Sequence, residues 1–363
     1  MRVFPKVFCR WLFLIPALLS CKPDYQESQI AKDQSLFFQD FAPTTISQIT
    51  ITSPYQTLNF HRQPDQSWTI AERDHYPADN LAIADLLSTF STVKVLDQTE
   101  VAAKNLPRLG LAPPNPPTDD LATVQGTHVA FKSDTTSHSA LIGHLKTSNS
   151  EASTMFGAHY DGQRLALLPS NPNRALSINH ALKELTTNVA YWIDSRFFAA
   201  SPVRTISLIE NDTCNWTLTR TEPNATFRTK EENEPLPQLT EFVDYLFSTF
   251  RVHDVLPKDR SFEGTTKQHY NIETFSGLSY KILIGNLTPV SAEEKAYRQS
   301  VTGFLRPANI TSLRKIQIRS HNATNYQSSK QLPLLDTSYL VQLPQLNQLL
   351  LTKRELLLYE TRL

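Results

Sequence analysis

Residues 47–51 read Ser-Gln-Ile-Thr-Ile, residues 58–62 read Leu-Asn-Phe-His-Arg, and residues 67–70 read Ser-Trp-Thr-Ile. In each stretch the apolar side chains stand at every second position, which is the pattern of a β-strand with one buried face. Short polar segments separate the three stretches, as expected for strands joined by turns. These residues therefore predict an antiparallel three-stranded meander at the start of the fold.

A helix is predicted directly after the meander. Pro77 restricts the chain before the helix, and the carboxylate of Asp79 can accept hydrogen bonds from the free N–H groups of the first helical turn. Apolar residues then recur at helical spacing, which predicts one buried face. The residues of this stripe are Ile83, Leu86, Leu87 and Phe90.

The second half of the chain repeats the same order of elements. Alternating stretches at residues 204–208, 216–220 and 226–229 follow the first three by 157 to 159 positions. Pro237 suits the first turn of another helix, whose apolar residues again recur at helical spacing. The order of strands and helix is therefore predicted to be the same in both halves.

Two sequence matches strengthen this repeat. Leu-Leu-Ser-Thr-Phe at residues 86–90 corresponds to Leu-Phe-Ser-Thr-Phe at residues 246–250, and Leu-Ile-Gly at residues 141–143 corresponds to the same tripeptide at residues 283–285. Chance similarity between strand patterns is the alternative explanation. The preserved order of several landmarks favours a tandem duplication.

The predicted fold class is α+β, with two tandem similar units at residues 46–200 and 203–363. Each unit consists of an antiparallel β-meander, a helix, further β-hairpin strands and a terminal helix. The terminal helices are expected at residues 178–193 and 345–358.

The second unit is expected to contain an insertion. Leu-Ala-Leu-Leu-Pro at residues 165–169 resembles Leu-Val-Gln-Leu-Pro at residues 340–344, and matching them leaves additional chain near residues 289–325. This segment includes a helix-like stretch at residues 292–304. Long insertions usually lie on the surface and often carry binding groups, so this one is a candidate partner-binding segment. The alternative is that it docks on its own unit.

The N-terminus predicts a lipid anchor. Residues 1–20 combine a basic start with a short apolar run, which is the pattern of a signal peptide, and Leu18-Leu19-Ser20-Cys21 matches a bacterial lipobox. We therefore predict cleavage before Cys21, acylation of this cysteine, and a lipidated tether at residues 21–45. An ordinary secretory signal or a buried N-terminal strand is the alternative.

Charge and cysteine content exclude some classes of function. The chain has 35 basic and 35 acidic residues, and loss of Arg2, Lys6 and Arg10 with the signal peptide would leave a net charge near −3. Such a balance gives no basic surface for nucleic acid. After cleavage and acylation, Cys214 would be the only free thiol, so no internal disulfide is expected.

Several motifs resemble one bacterial protein family. They are Tyr-Pro-Ala-Asp at residues 76–79, Leu-Gly-Leu-Ala-Pro-Pro at 109–114, Leu-Ile-Gly at 141–143, Leu-Ala-Leu-Leu-Pro at 165–169 and Asp-Ser-Arg-Phe-Phe at 194–198. In this order and spacing they resemble the domain of unknown function 4340, best over the first unit and more loosely over the second, which lacks the Gly-Leu-x-Pro-Pro element. The resemblance implies a membrane-anchored envelope protein, in some members near components of gliding-type transporters. It implies no set of catalytic residues.

The sequence contains no recognisable catalytic signature. It has no nucleophile elbow, no phosphate-binding glycine loop, no His-Glu-x-x-His helix and no paired-cysteine metal site. His180 and Glu184 could share a helix face, but a solvated pair is the simpler interpretation of two ligands without a third. The aromatic residues Trp68, Trp192, Trp216 and Phe227 could form a carbohydrate platform, although core packing explains them better. We therefore expect no enzyme activity, cofactor or metal.

The sequence thus predicts an envelope lipoprotein that acts by binding. The expected role is an accessory or partner-binding component of an envelope or transporter assembly, with an unidentified envelope protein as partner. The alternatives are a periplasmic solute or glycan binder that uses a cleft between the two units, and an envelope hydrolase. Because Lys22, and not Asp, follows the predicted lipidation site, the outer membrane facing the periplasm is the expected location.

Replacing Cys21 tests the anchor. The Cys21→Ser protein should leave the membrane fraction, or remain uncleaved, because the acyl chains are the predicted membrane attachment. Fractionation of cells with an immunoblot for the protein would measure this. Tight membrane association of a cleaved Cys21→Ser protein would contradict the prediction.

Overall fold

Antiparallel strand pairing organises most of the described chain. The computed structural model describes residues 35–114, 125–143, 164–194, 202–230, 233–249, 251–257, 268–277, 279–290, 312–320 and 337–342. The predicted signal peptide at residues 1–20 and Cys21 lie outside these residues, so the lipidation site stays a prediction.

Within the described residues, the first sheet contains nine strands. They are β1 Gln48–Thr52, β2 Thr57–Arg62, β3 Trp68–Ile70, β4 Tyr76–Pro77, β5 Val95–Glu100, β6 Thr127–Lys132, β7 Ser137–Ile142, β8 Arg164–Leu167 and β9 Arg174–Ile178. Their order across the sheet is β4-β3-β2-β1-β6-β7-β8-β9-β5. The predicted meander forms β1 to β3, and its apolar residues Ile49, Ile51 and Phe60 are fully buried.

The second sheet contains eight strands within the same described ranges. They are β10 Val203–Glu210, β11 Thr213–Thr219, β12 Arg228–Thr229, β13 Asp254–Leu256, β14 Gln268–Thr274, β15 Ser279–Pro289, β16 Ser312–Ser320 and β17 Thr337–Gln342. Their order is β12-β11-β10-β14-β15-β16-β17-β13. The fold is therefore α+β, with antiparallel sheets and few helices.

Three α-helices accompany the sheets in the described part of the chain: α1 Asn80–Thr92, α2 Val189–Trp192 and α3 Pro237–Thr249. The Asp79 carboxylate accepts the N–H groups of Leu81 and Ala82 at 2.9 and 3.4 Å, which confirms the predicted helix cap. The predicted stripe of α1 is buried in full. None of the described helices is long and apolar enough to cross a membrane.

The two sheets share the same strand order. β12-β11-β10-β14-β15-β16-β17-β13 repeats β3-β2-β1-β6-β7-β8-β9-β5, and β4 adds one edge strand to the first sheet. The registers correspond as well, because Leu141 of β7 lies opposite His128 of β6, and Leu283 of β15 lies opposite His269 of β14. The Leu-Ile-Gly stretches of the two halves thus occupy equivalent strands.

The match between residues 165–169 and residues 340–344 is wrong. β8 follows β7 across the first sheet, whereas β16 follows β15 across the second, so β17 corresponds to β9. An apolar strand followed by proline is too common a pattern to fix a position in a sheet. Residues 312–320, within the segment expected as an insertion near 289–325, form a strand inside the sheet and no surface loop. Most of the remaining segment lies outside the described residues.

The prediction of a helix at residues 178–193 is wrong except for the last turn, which forms α2. Leu182 has a φ of 46°, in the left-handed region that a right-handed helix cannot contain. The Leu182 N–H donates to Nδ1 of His180 at 3.0 Å, a local bond that competes with helix formation. The second terminal helix, at residues 345–358, lies outside the described residues.

The last part of the predicted tether belongs to the folded body, whose compact unit begins at Ser35. The Phe37 N–H donates to the carbonyl of Val93 at 2.8 Å, and the Val95 N–H donates to the carbonyl of Ser35 at 3.0 Å. Phe38 is buried, and its ring stacks on Phe90 of α1 at 5.7 Å. The apolar residues at the end of the expected tether are thus core residues.

Within the described residues, an ion pair and a tyrosine pair connect the two sheets. Arg73 and Asp254 form a two-pronged ion pair, with N···O distances of 2.7 and 3.1 Å. Tyr76 of β4 and Tyr339 of β17 pack edge to face at 6.0 Å, and a hydrogen bond joins their hydroxyls. Burial raises the pKa of both tyrosines, so both hydroxyls stay neutral over the physiological range. A continuous hydrophobic core includes residues of both sheets.

Truncating Phe90 should weaken the fold. The Phe90 ring is buried between α1 and the first sheet and lies 4.8 Å from Phe131, so Phe90→Ala should cost about 3–5 kcal/mol of unfolding free energy. Leu81 on the same helix is 69% exposed, and Leu81→Ala is the control, with an expected change of about 0.5 kcal/mol or less. Urea unfolding followed by circular dichroism measures both. Equal losses would contradict the packing of α1.

Candidate functional site

A groove of about 610 Å³ crosses the first sheet near its β5 edge. Its lining comes from residues 35–39, from β5, from β7, from the turn at residues 168–171 and from β9. Ligand pockets usually measure roughly 300–1,000 Å³, so the groove has the size of a small-molecule site.

Residues 35–39 form one wall of the groove. The backbone bonds from Ser35 and Phe37 to the segment after α1 hold this wall against the sheet. Leu36 forms an isolated antiparallel bridge with Lys94, and its side chain is 44% exposed. The wall is therefore fixed by strand-like pairing and presents an apolar side chain to solvent.

Apolar side chains form the floor. Phe38 and Leu176 are buried, and Val95 and Leu168 are partly buried beside them. The His138 ring lies 5.3 Å from the Phe38 ring, and within the described part of the chain its buried Nε2 has no hydrogen-bond partner. The floor thus combines apolar surface with one imidazole.

Polar side chains without negative charge form the rim. Among the described residues that line the groove, none is Asp or Glu, and besides His138 of the floor the polar ones are Ser35, Gln39, Gln98, Ser137, Ser139, Ser170, Asn171 and Arg174. Arg174 lies 3.9 Å from Glu100, and the two side chains are 44% and 86% exposed. An ion pair this long and this exposed is worth little, so the guanidinium stays able to bind an anion.

Arg164, on the neighbouring strand β8, has a different role. Its guanidinium is buried and donates to the carbonyls of Gly143 at 2.6 Å, Ala181 at 3.0 Å and Leu182 at 2.6 Å. Three carbonyl acceptors satisfy a buried charge, and they tie the loop after β9 to the end of β7. Arg164 is therefore a structural residue, whereas Arg174 is a candidate binding residue.

The structure separates the metal-ligand pair considered from the sequence. His180 and Glu184 do not share a helix face, because the chain between them turns through the left-handed Leu182. In the ranges described above, no group of three or more His, Cys, Asp or Glu side chains is placed to hold a metal ion.

The aromatic residues considered for a carbohydrate platform are core residues. Trp68, Trp192, Trp216 and Phe227 are all buried, which confirms the core-packing interpretation. Cys214 is exposed on β11, where its thiol lies 3.3 Å from the Thr217 hydroxyl. None of these residues lines the groove.

Sequence reasoning missed the groove. Its lining comes from five separate parts of the chain, and none of them carries a local motif. The one available signal was Arg174, a single basic residue at the end of the turn Pro169-Ser170-Asn171-Pro172-Asn173. Nothing in that turn indicates that Phe38 and Leu176 lie beside it.

The fold and the groove define a two-sheet α+β protein with a candidate binding site on its first sheet. The family model described as domain of unknown function (DUF4340) matches residues 68–273, more than half of the chain. The chain belongs to this family. The matched part runs from β3 into β14, so it includes β5, β7 and β9 of the groove but not the wall at residues 35–39. No curated protein and no solved structure matches the chain.

The two arginines should respond differently to substitution. Arg164→Gln removes charge-assisted bonds to buried carbonyls and should cost at least about 2 kcal/mol of unfolding free energy. Arg174→Gln should change it by about 0.5 kcal/mol or less, because its ion pair is exposed. Parallel urea unfolding curves measure both changes. A loss for Arg174→Gln as large as that for Arg164→Gln would make Arg174 a structural residue.

Proposed function

We propose that this protein is an envelope lipoprotein, anchored through acylated Cys21 and facing the periplasm from the outer membrane. It acts by binding a partner as an accessory component of an envelope or transporter assembly. The lipobox supports the anchor, and the envelope role rests on the resemblance of family members to membrane-anchored envelope proteins. The transporter part of the proposal rests on the resemblance of family members to proteins near gliding-type transporters.

The open edge of β5 carries the proposal of partner binding. β5 has six residues, whereas the other edge strands, β4, β12 and β13, have two or three. Within the described residues, β5 pairs with β9 on one side and meets only the short segment 35–37 on the other. Val95 is already bonded to Ser35, and the rest of β5 is a template for an added strand, since natural proteins usually shorten or cover such edges.

The chemistry of the edge limits the partner. Asp97, Gln98, Thr99 and Glu100 are exposed along β5. Backbone N–H and C=O groups would supply the binding energy, and the two carboxylates would favour a partner strand with basic or neutral side chains over an acidic one. The proposed contact is therefore strand addition to β5.

The anchor would keep this edge near the membrane. The chain between Cys21 and Ser35 spans about 50 Å when fully extended. The β5 edge lies beside Ser35, because Ser35 accepts the N–H of Val95. A partner at β5 would therefore be another membrane-associated or membrane-proximal protein.

We further propose that the two halves arose by duplication and that the first half carries the binding surface. The shared strand order and the matching registers of Leu141 and Leu283 support the duplication. β13, which takes the place of β5 in the second sheet, has only three residues. The expected insertion near residues 289–325 is a weaker candidate, since most of its described part is the internal strand β16.

The groove favours a second candidate function, the binding of a small solute. It lies within the first sheet and not in a cleft between two units, so it differs from the site expected from the sequence. A hydrolase has no supporting observation among the described residues.

Cross-linking at β5 tests partner binding. A photo-reactive residue in place of Thr99, which is exposed on the edge, should give one protein adduct of defined mass in living cells. The same residue in place of Asp212, exposed on a turn of the second sheet, is the control and should give none. Immunoblotting detects the adduct, and mass spectrometry identifies the partner. No adduct at position 99, or equal adducts at both positions, would contradict the proposal.

A further inference from the structure

We propose that the groove binds an anionic amphiphile with a single acyl chain, with the acidic head at Arg174 and the chain over Phe38 and Leu176. This inference deepens the second candidate function, because it names the class of solute. It rests on observations separate from those for strand addition at β5, although residues 35–37 lie beside both sites.

The positive charge in the groove lining favours an anionic ligand. The whole chain has equal numbers of acidic and basic residues, yet the described lining contains Arg174 and no carboxylate. The nearest acidic partner, Glu100, is 3.9 Å away and largely exposed. A bound carboxylate or phosphate could take two parallel hydrogen bonds from the guanidinium, which the distant Glu100 does not. Asn171 and Ser170 lie in the same rim and can donate to the remaining oxygens.

The apolar floor of the groove favours a ligand with an aliphatic chain. Phe38, Leu176, Val95 and Leu168 form apolar surface next to the Arg174 rim. Leu36, on the wall, is one of five large apolar side chains that are strongly exposed in the described chain. An acyl chain would cover it. Among the described lining residues there is no Trp or Tyr on which a sugar ring could stack, so an acyl chain fits better than a glycan.

The proposal names one shared chemistry, an anionic head on one acyl chain. A free fatty acid and a single-chain phospholipid both have it. The volume of about 610 Å³ lies within the usual range for ligands of this size. Two probes, decanoate and 1-decanoyl-lysophosphatidylglycerol, distinguish the sources, because only the second carries a phosphate and glycerol.

Calorimetric titration of the purified full chain with Cys21→Ser tests the proposal. Decanoate should bind, and octanoate should bind more than tenfold more weakly, because each buried methylene strengthens binding about fourfold. Decanol, which lacks the charge, should bind at least tenfold more weakly than decanoate. Acetate should give no measurable binding. Tighter binding of the lysophospholipid than of decanoate would assign a phospholipid ligand, and the reverse order would assign a fatty acid.

Matched variants locate the ligand. Arg174→Gln should weaken decanoate binding at least tenfold and leave decanol binding unchanged. Arg204→Gln is the control, because Arg204 also forms a long, exposed pair, with Glu273 at 3.8 Å, on the second sheet. Leu36→Asp should weaken decanoate at least fivefold, whereas Leu81→Asp, at an exposed apolar site on α1, should not. Circular dichroism checks that each variant is folded.

The proposal would be overturned if decanoate did not bind below 1 mM, which is on the order of the weakest specific affinities. It would also be overturned if the wild type and Arg174→Gln bound decanoate equally. Equal binding of decanoate and acetate would overturn it as well. The two proposals fail separately. A protein adduct at position 99 without decanoate binding would support partner binding and contradict the amphiphile proposal. Decanoate binding without an adduct would support the amphiphile proposal and contradict partner binding at β5.

Discussion

The pairing of β1 with β6 is the constraint on which the first sheet depends. It joins the meander of residues 48–70 to the strands after residue 127, and closing so long a loop costs conformational entropy. Ile49 lies opposite Phe131 and Ile51 lies opposite Val129, and all four side chains are fully buried. Burial of these apolar pairs offsets the loop entropy. The pairing of β10 with β14 has the same position in the second sheet.

The position of α1 explains why the groove forms at one edge. α1 follows β4, at one edge of the first sheet, and β5, which comes next in the chain, pairs at the opposite edge. The chain before β1 then runs beside the segment that leads into β5 and closes one side of a concave surface. The groove therefore depends on the long crossover from α1 to β5 and on the short segment at residues 35–39.

Charge has two different uses on neighbouring strands. Arg164 is buried, and three backbone carbonyls accept its hydrogen bonds, so it connects elements of the fold. Arg174 stands at the rim, and its acidic neighbour is too distant and too exposed to neutralise it. The Arg174 guanidinium donates a long hydrogen bond to Gln98, at 3.4 Å, and a charge held this weakly can be used for a ligand. This difference in environment, and not residue type, makes Arg174 the candidate binding residue.

The sequence by itself determined the local elements. Alternation predicted β1 to β3, helical spacing and Asp79 predicted α1, and the Leu-Ile-Gly repeat predicted equivalent strands, because local periodicity and capping depend on near neighbours. Only the tertiary structure decided the order of the strands across each sheet. It placed β16 inside the second sheet, where the sequence had suggested a surface insertion. It also made Phe38 a core residue and brought Leu36, Leu176 and Arg174 together. These contacts join residues about 140 positions apart, and such pairings have no local signal because they depend on the packing of the whole sheet.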